Sequence, residues 1–124
     1  MARIEAAVGT TLTADYAAFL RRFGAATFSD PVALRLPDGV WADVHVWFGS
    51  DPDDSFDLSA NLDSLAGYPM HVPVACDPYG NIFCLDLAPG LGRGRVRFLD
   101  LAEDCDQTAA ESFNDFIARL RRLP

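Results

Sequence analysis

The stretch "VALRLPDGVWADVHVWF", residues 32–48, alternates apolar and polar side chains with a period of two. A β-strand satisfies that pattern and a helix does not. Val40, Ala42, Val44, Val46 and Phe48 fall on one face, and Trp41, Asp43, His45 and Trp47 on the other. The central "PDG" offers two turns. A two-residue Asp-Gly loop pairs Leu36 with Trp41 and divides the apolar side chains between the faces. A three-residue loop, Pro37-Asp38-Gly39, pairs Leu36 with Val40 and Leu34 with Ala42, with Gly39 in the left-handed position of a bulge. The second register keeps one face apolar, so the sequence predicts a hairpin closed by three residues.

A second hairpin is predicted in "HVPVACDPYGNIFCLDL", residues 71–87. A four-residue loop, Asp77 to Gly80, places Val74 opposite Phe83 and Val72 opposite Leu85. Cys76, Asp77, Cys84 and Asp86 have the composition of a metal site, a redox pair or a catalytic dyad. In this register Cys76 lies on the Phe83 face, whereas Cys84 and Asp86 lie on the reverse. The two thiols therefore cannot share a metal or a disulfide without breaking the hairpin. Asp77 is placed to accept backbone N–H groups within the turn. Cys105 makes the cysteine count odd, with no CxxC spacing, and reduced thiols are the expectation.

Helices are predicted at both ends. "RIEAAVG" forms a short one that Gly9 ends. "TADYAAFLRRFG" forms another, with Thr13 as cap, an apolar face of Tyr16, Phe19, Leu20 and Phe23, and Gly24 as the stop. "GSDPDDSFDLSANLDSLAGYP" begins as a loop and then turns Leu58, Leu62 and Leu65 inward on a short helix closed by Gly67. "RGRVRFLDL" reads as a strand with Val96 and Phe98 facing away from Arg95 and Arg97. In the last helix Thr108 and Glu111 make a capping box, and Phe113, Phe116, Ile117 and Leu120 form the buried stripe. One domain, 1–124, accounts for all of it, since the chain is long enough to bury a core without disulfides.

Charge narrows the function. Eighteen acidic residues against ten basic ones give −8, every basic residue is arginine, and none lies between Arg35 and Arg93. A nucleic-acid interface needs clustered positive charge, so that partner is not expected. The acidity serves either solubility or a docking surface for a basic partner. No apolar run approaches the roughly 18 residues of a membrane span, and "MARIEAAVG" carries charges where a secretory segment would be apolar. A cytoplasmic protein without a membrane association is expected.

The remaining motifs do not assemble chemistry. His45 and His71 stand outside any metal or triad spacing. Asp51, Asp53, Asp54 and Asp57 superficially resemble a calcium loop, but the central glycine and closing glutamate are missing. "GLGRG" has neither a strand-to-helix transition before it nor a phosphate-binding lysine. No catalytic residue, metal ligand or cofactor is therefore expected. The candidates for partner binding are Asp51, Asp53, Asp54 and Asp57 for charge, and Trp41 and Trp47 as anchors. The tryptophans' other reading is burial beneath the helices.

The order of landmarks resembles the SUKH superfamily, which includes fungal regulators of cell-wall synthesis and many bacterial immunity proteins. The resemblance runs from "IEAAVGTTLTADYAAFLRRF" through "VHVWFG" and "VPVACDPYGNIFCLDL" to "RVRFLD" and "SFNDFIARL". Thr13 stands where that family usually has proline, and "FGAATF" lacks its common Asn-Gly. The resemblance implies an α+β domain whose central, mainly antiparallel sheet is flanked by N-terminal and C-terminal helices. It also implies a non-enzymatic immunity protein that binds a toxin, often a nuclease. The alternative it implies is a regulatory or scaffolding domain for other cellular proteins.

Overall fold

A computed structural model describes residues 2–22, 26–51, 53, 55, 57–100, 102–103 and 105–122, with backbone alone at 2, 26–31, 60 and 105. Helix α1 spans Ala2–Val8 and α2 spans Ala14–Arg22. Gly9 ends the first at φ +90°, its N–H bonded to the Glu5 carbonyl at 2.9 Å. The Glu5 carboxylate then accepts the Leu12 N–H at 2.8 Å, tying the linker back onto α1. Tyr16, Ala17 and Leu20 are the buried face of α2. Thr13 precedes that helix as predicted, but its hydroxyl is buried without a hydrogen-bond partner. The side-chain bond in the first turn comes from Asp15, which accepts the Tyr16 N–H at 2.8 Å. Phe23 and Gly24 lie outside the described residues.

Seven strands follow: β1 Ala26–Arg35, β2 Trp41–Trp47, β3 His71–Cys76, β4 Ile82–Asp86, β5 Val96–Asp100, β6 Cys105–Ala110 and β7 Arg121–Arg122. They form one curled sheet in the order β6-β5-β4-β3-β2-β1-β7, and every neighbouring pair is antiparallel. The architecture is α+β. Curling brings the β1–β2 turn toward the far edge, where Gln107 Nε2 of β6 reaches the Asp38 carboxylate at 3.4 Å.

The first hairpin has the predicted register. Leu34 faces Ala42, the Leu36 N–H donates to the Val40 carbonyl at 2.8 Å, and Gly39 sits at φ +89°. Its strict alternation does not survive to the other end. Thr27 pairs with Val46 but Val32 with Val44, so residues 28–31 of β1 stand against His45 alone. Ala42, Val44 and Trp47 all enter the main core, and Trp41 and His45 remain exposed. Val40, expected on the apolar face, is 57% exposed at the tip.

In the second hairpin Val72 faces Leu85 as expected, but Phe83 faces Ala75 rather than Val74. Val74 occupies a bulge, and its carbonyl accepts the Phe48 N–H at 3.0 Å. Asp77 is buried in the turn, accepting N–H groups from Tyr79 (2.9 Å), Asn81 (2.8 Å) and the Asn81 amide (2.7 Å).

The C-terminal region corrects the predicted capping box. Residues 105–110 are β6, with Thr108 paired to Arg97. Helix α3, Phe113–Arg119, begins later: Ser112 Oγ accepts the Asp115 N–H at 3.0 Å and Asp115 accepts the Glu111 N–H at 3.1 Å. Accepting that N–H holds the Asp115 carboxyl below its ordinary range. Phe113 and Phe116 are buried, but Ile117 is 37% exposed. Arg121 donates to the carbonyls of Ala118 (2.8 Å) and Leu120 (2.9 Å), serving the helix end as expected of a C-terminal arginine.

The core lies between the helices and one sheet face. Phe113 stacks edge-on to Tyr16 and Phe19 at 4.9 and 5.0 Å, and Phe116 meets Phe83 at 5.2 Å. Leu65, Ile82, Cys84 and Leu99 form a second cluster, with Tyr68 packed against it. Ile82 and Cys84 alternate with the core residues Phe83 and Leu85, so this cluster is on the reverse face. Leu65 reaches it from a 3-10 helix, Ser59–Leu65, and Leu58, the residue before that helix, is buried in the main core.

Candidate functional site

The acidic segment leaves β2 at Phe48 and returns at the 3-10 helix. Its two ends are joined by a parallel bridge between Gly49 and Asp57, and the Leu58 N–H donates to the Gly49 carbonyl at 2.8 Å. Arg3 of α1 fastens it. The guanidinium reaches both Asp57 oxygens, at 2.8 and 3.2 Å, and the Ser50 carbonyl at 2.6 Å. Ser59 Oγ completes the cluster through Arg3 and Asp57. The hydrogen bond to Asp57 raises the Arg3 pKa above the ordinary arginine value. Asn61 braces the loop from below, donating to the Asp57 and Ser55 carbonyls at 2.7 and 3.1 Å.

This geometry sorts the six sequence candidates. Asp57 is 2% exposed and committed to Arg3, so it positions the loop instead of displaying charge. Asp51 and Asp53 are exposed, with the Asp53 N–H turned onto the Asp51 carboxylate at 2.9 Å. Asp54 lies outside the described residues. Trp47 is 4% exposed, its ring 5.3 Å from Phe19 and 5.7 Å from Phe116. It is a core residue. Trp41 is 48% exposed on the hairpin. Six residue steps of β2, about 20 Å of strand, separate Trp41 from Trp47, and Asp51 lies beyond. Trp41 and the acidic loop are two surfaces, not one patch.

The sulfur and imidazole groups have structural surroundings. Cys76 packs against the main core and Cys84 within the reverse-face cluster, and both thiols are free. Burial pushes the Cys84 pKa up to about 12 and raises that of Cys76, which disfavours the nucleophilic thiolate. His71 is buried, its Nδ1 2.9 Å from the Pro69 carbonyl and its Nε2 without a hydrogen bond, 3.6 Å from Asp86. His45 is exposed. Among the described residues, no three His, Cys, Asp or Glu side chains converge as metal ligands would. Among the described residues of the acidic loop, Asp51 and Asp53 are exposed and Asp57 is held by Arg3.

Sequence reasoning missed the Arg3 clamp. No local motif links Arg3 to Asp57, 54 positions away, and only the packing of α1 beside the 3-10 helix brings them together.

The segments that carry the family resemblance fall in order on α1, α2, β2, the β3–β4 hairpin, β5 and α3. A model of the SMI1 / KNR4 family (SUKH-1) matches residues 1–119. The chain belongs to that family. No curated protein and no solved structure matches it. SUKH-1 membership is consistent with a toxin-immunity role, the family being generally one of non-catalytic immunity or regulatory proteins. Among the described residues of this SUKH-1 chain, no helix is long and apolar enough to cross a membrane.

Proposed function

We propose that this SUKH-1 chain is a non-catalytic immunity protein that binds and neutralises a basic protein toxin, a nuclease being the leading class, in the cytoplasm. The observation that carries the reading is the acidic loop, in which Arg3 holds Asp57 inside while Asp51 and Asp53 face solvent. A nuclease must gather positive charge to hold phosphates, and an exposed acidic loop can occupy that surface. With a chain charge of −8, long-range attraction speeds encounter, whereas close packing sets the lifetime of the complex. Holding the loop before the partner arrives lowers the ordering entropy lost on binding.

The test is co-expression with the lethal C-terminal domain of a secreted protein encoded beside this chain's gene. The wild-type chain should protect. Replacing Asp51 and Asp53 by lysine should leave the melting temperature nearly unchanged, because both are exposed loop carboxylates. The same change should slow association at low salt and weaken protection. Wild-type association should also slow as salt rises, since exposed charges are screened over about 8 Å at physiological ionic strength. A double variant that associates at the wild-type rate would refute the acidic loop as the contact. Absence of any toxic partner, with capture of a regulatory protein instead, would favour the scaffolding alternative.

A further inference from the structure

Strand β2 has an open edge on the side facing β3. The Leu36 N–H donates to the Val40 carbonyl at 2.8 Å, and the register continues through Leu34↔Ala42 and Val32↔Val44. Val40, Ala42 and Val44 therefore turn their backbone groups toward β1, and Trp41 and Asp43 turn theirs the opposite way. On that side the ladder begins only at Val46, and among the described residues no backbone hydrogen bond reaches Trp41 or Asp43. Strand β3 ends at Cys76, where the chain turns toward β4. The N–H and C=O groups of Trp41 and Asp43 are left as a row that another strand can complete.

The side chains along the edge limit what can lie there. Trp41 and Asp43 point to the outer face, the first 48% exposed and the second half-buried. Ala42 and Val44 enter the main core from the other face. Asp43 makes no ion pair or hydrogen bond among the described residues. Its neighbour on β1 is Ala33, and the nearest strand arginine, Arg35, turns its guanidinium to the hairpin tip, where Nη2 lies 3.7 Å from the position of a β-carbon on Gly39. A second copy paired about Asp43 would set two carboxylates opposite each other, which is unfavourable, and each chain carries −8.

We infer that this edge takes an extended segment of a protein partner by strand addition. A basic residue lies opposite Asp43, an aromatic or aliphatic one opposite Trp41, and an apolar one between them at the rim of the core. In such complexes the backbone bonds give affinity and the alternate side chains give specificity. The edge is a second surface, apart from the acidic loop, and its chemistry is the same whether the partner is a toxin or a regulatory protein.

The test is a titration of the isotope-labelled full-length chain with capped Thr-Val-Arg-Val-Tyr-Val-Thr. In an antiparallel register its arginine stands opposite Asp43 and its tyrosine opposite Trp41. The amide protons of Trp41 and Asp43 should move downfield as they become donors, while those of Ala42 and Val44, already bonded to β1, move less. N-methylation of the peptide at arginine and tyrosine removes two N–H groups aimed at β2, and should weaken binding about tenfold or more. N-methylation at the middle valine, whose N–H points away, should leave affinity unchanged. Replacing the peptide's arginine by glutamate should weaken binding to the wild type and restore it to Asp43→Lys. Equal binding of the two methylated peptides, or no shift at millimolar peptide, would overturn strand addition. Equal binding of the arginine and glutamate peptides would overturn the basic occupant. Shifts of the same two amides on concentrating the chain alone, with a dimer in sedimentation, would put a second copy on the edge and overturn the inference. No toxin enters these measurements, so their outcome is separate from the immunity reading, which co-expression decides.

Discussion

The two ends of β2 carry one tryptophan each, and they belong to different parts of the molecule. At the C-terminal end Trp47 is enclosed by Phe19, Phe113 and Phe116, from both α2 and α3. At the N-terminal end Trp41 pairs with Arg35 in the first hairpin, beside the exposed Val40. The same residue type six positions apart would share a face in an undisturbed strand. The β1–β2 register shifts opposite His45, and across that point the residue entering the main core changes from Val44 to Trp47, so alternation read from one strand does not hold through an irregular stretch of its pairing.

Substitutions can break this contrast. Trp47→Ala should cost about 3–5 kcal/mol, the range for removing a large aromatic side chain from a core, as read by urea denaturation. A loss below about 1 kcal/mol would mean that Trp47 is not enclosed. Gly39→Val should cost on the order of 1 kcal/mol or more, because φ +89° is strained for a β-branched residue, and unchanged stability would argue against the three-residue turn. Trp41→Ala should fall within about 0.5 kcal/mol of wild type, as exposed substitutions do. If it also leaves partner affinity intact, the hairpin tip has no share in binding; a large loss of affinity would make it a second contact surface.

The legible parts of the fold are those whose cause is local. Gly39 and Asp77 specify their turns within a few residues, and both turns contain the predicted interactions. The C-terminal boundary was ambiguous for an equally physical reason. Thr108 with Glu111 and Ser112 with Asp115 have the same capping spacing, and only the pairing of residues 105–110 with β5 selects the second. Val74 was misassigned because it sits in a bulge whose carbonyl bonds to the Phe48 N–H, just past the end of β2 and far away in sequence. Of the candidate site, the acidity was legible, but the division into a buried Asp57 and displayed Asp51 and Asp53 was not. That division needs Arg3, and a distant salt bridge leaves no periodic trace in a sequence.

One further property follows from the seam between the first hairpin and the rest of the sheet. Among the described residues the β2–β3 ladder holds two pairs, Val46↔Cys76 and Trp47↔Ala75, extended by the Phe48 N–H to the Val74 carbonyl, and β3 ends at Cys76, so the rest of β2 has no partner on that side. The β3–β6 meander is paired along far more of its length. Native-state hydrogen exchange should therefore resolve two cooperative units, the meander protected to near the global unfolding energy and the hairpin ribbon opening at lower cost. Helix α3 touches both β6 and β1, which makes it the fastener between them: loosening α3 should lower protection in the ribbon before it reaches the meander.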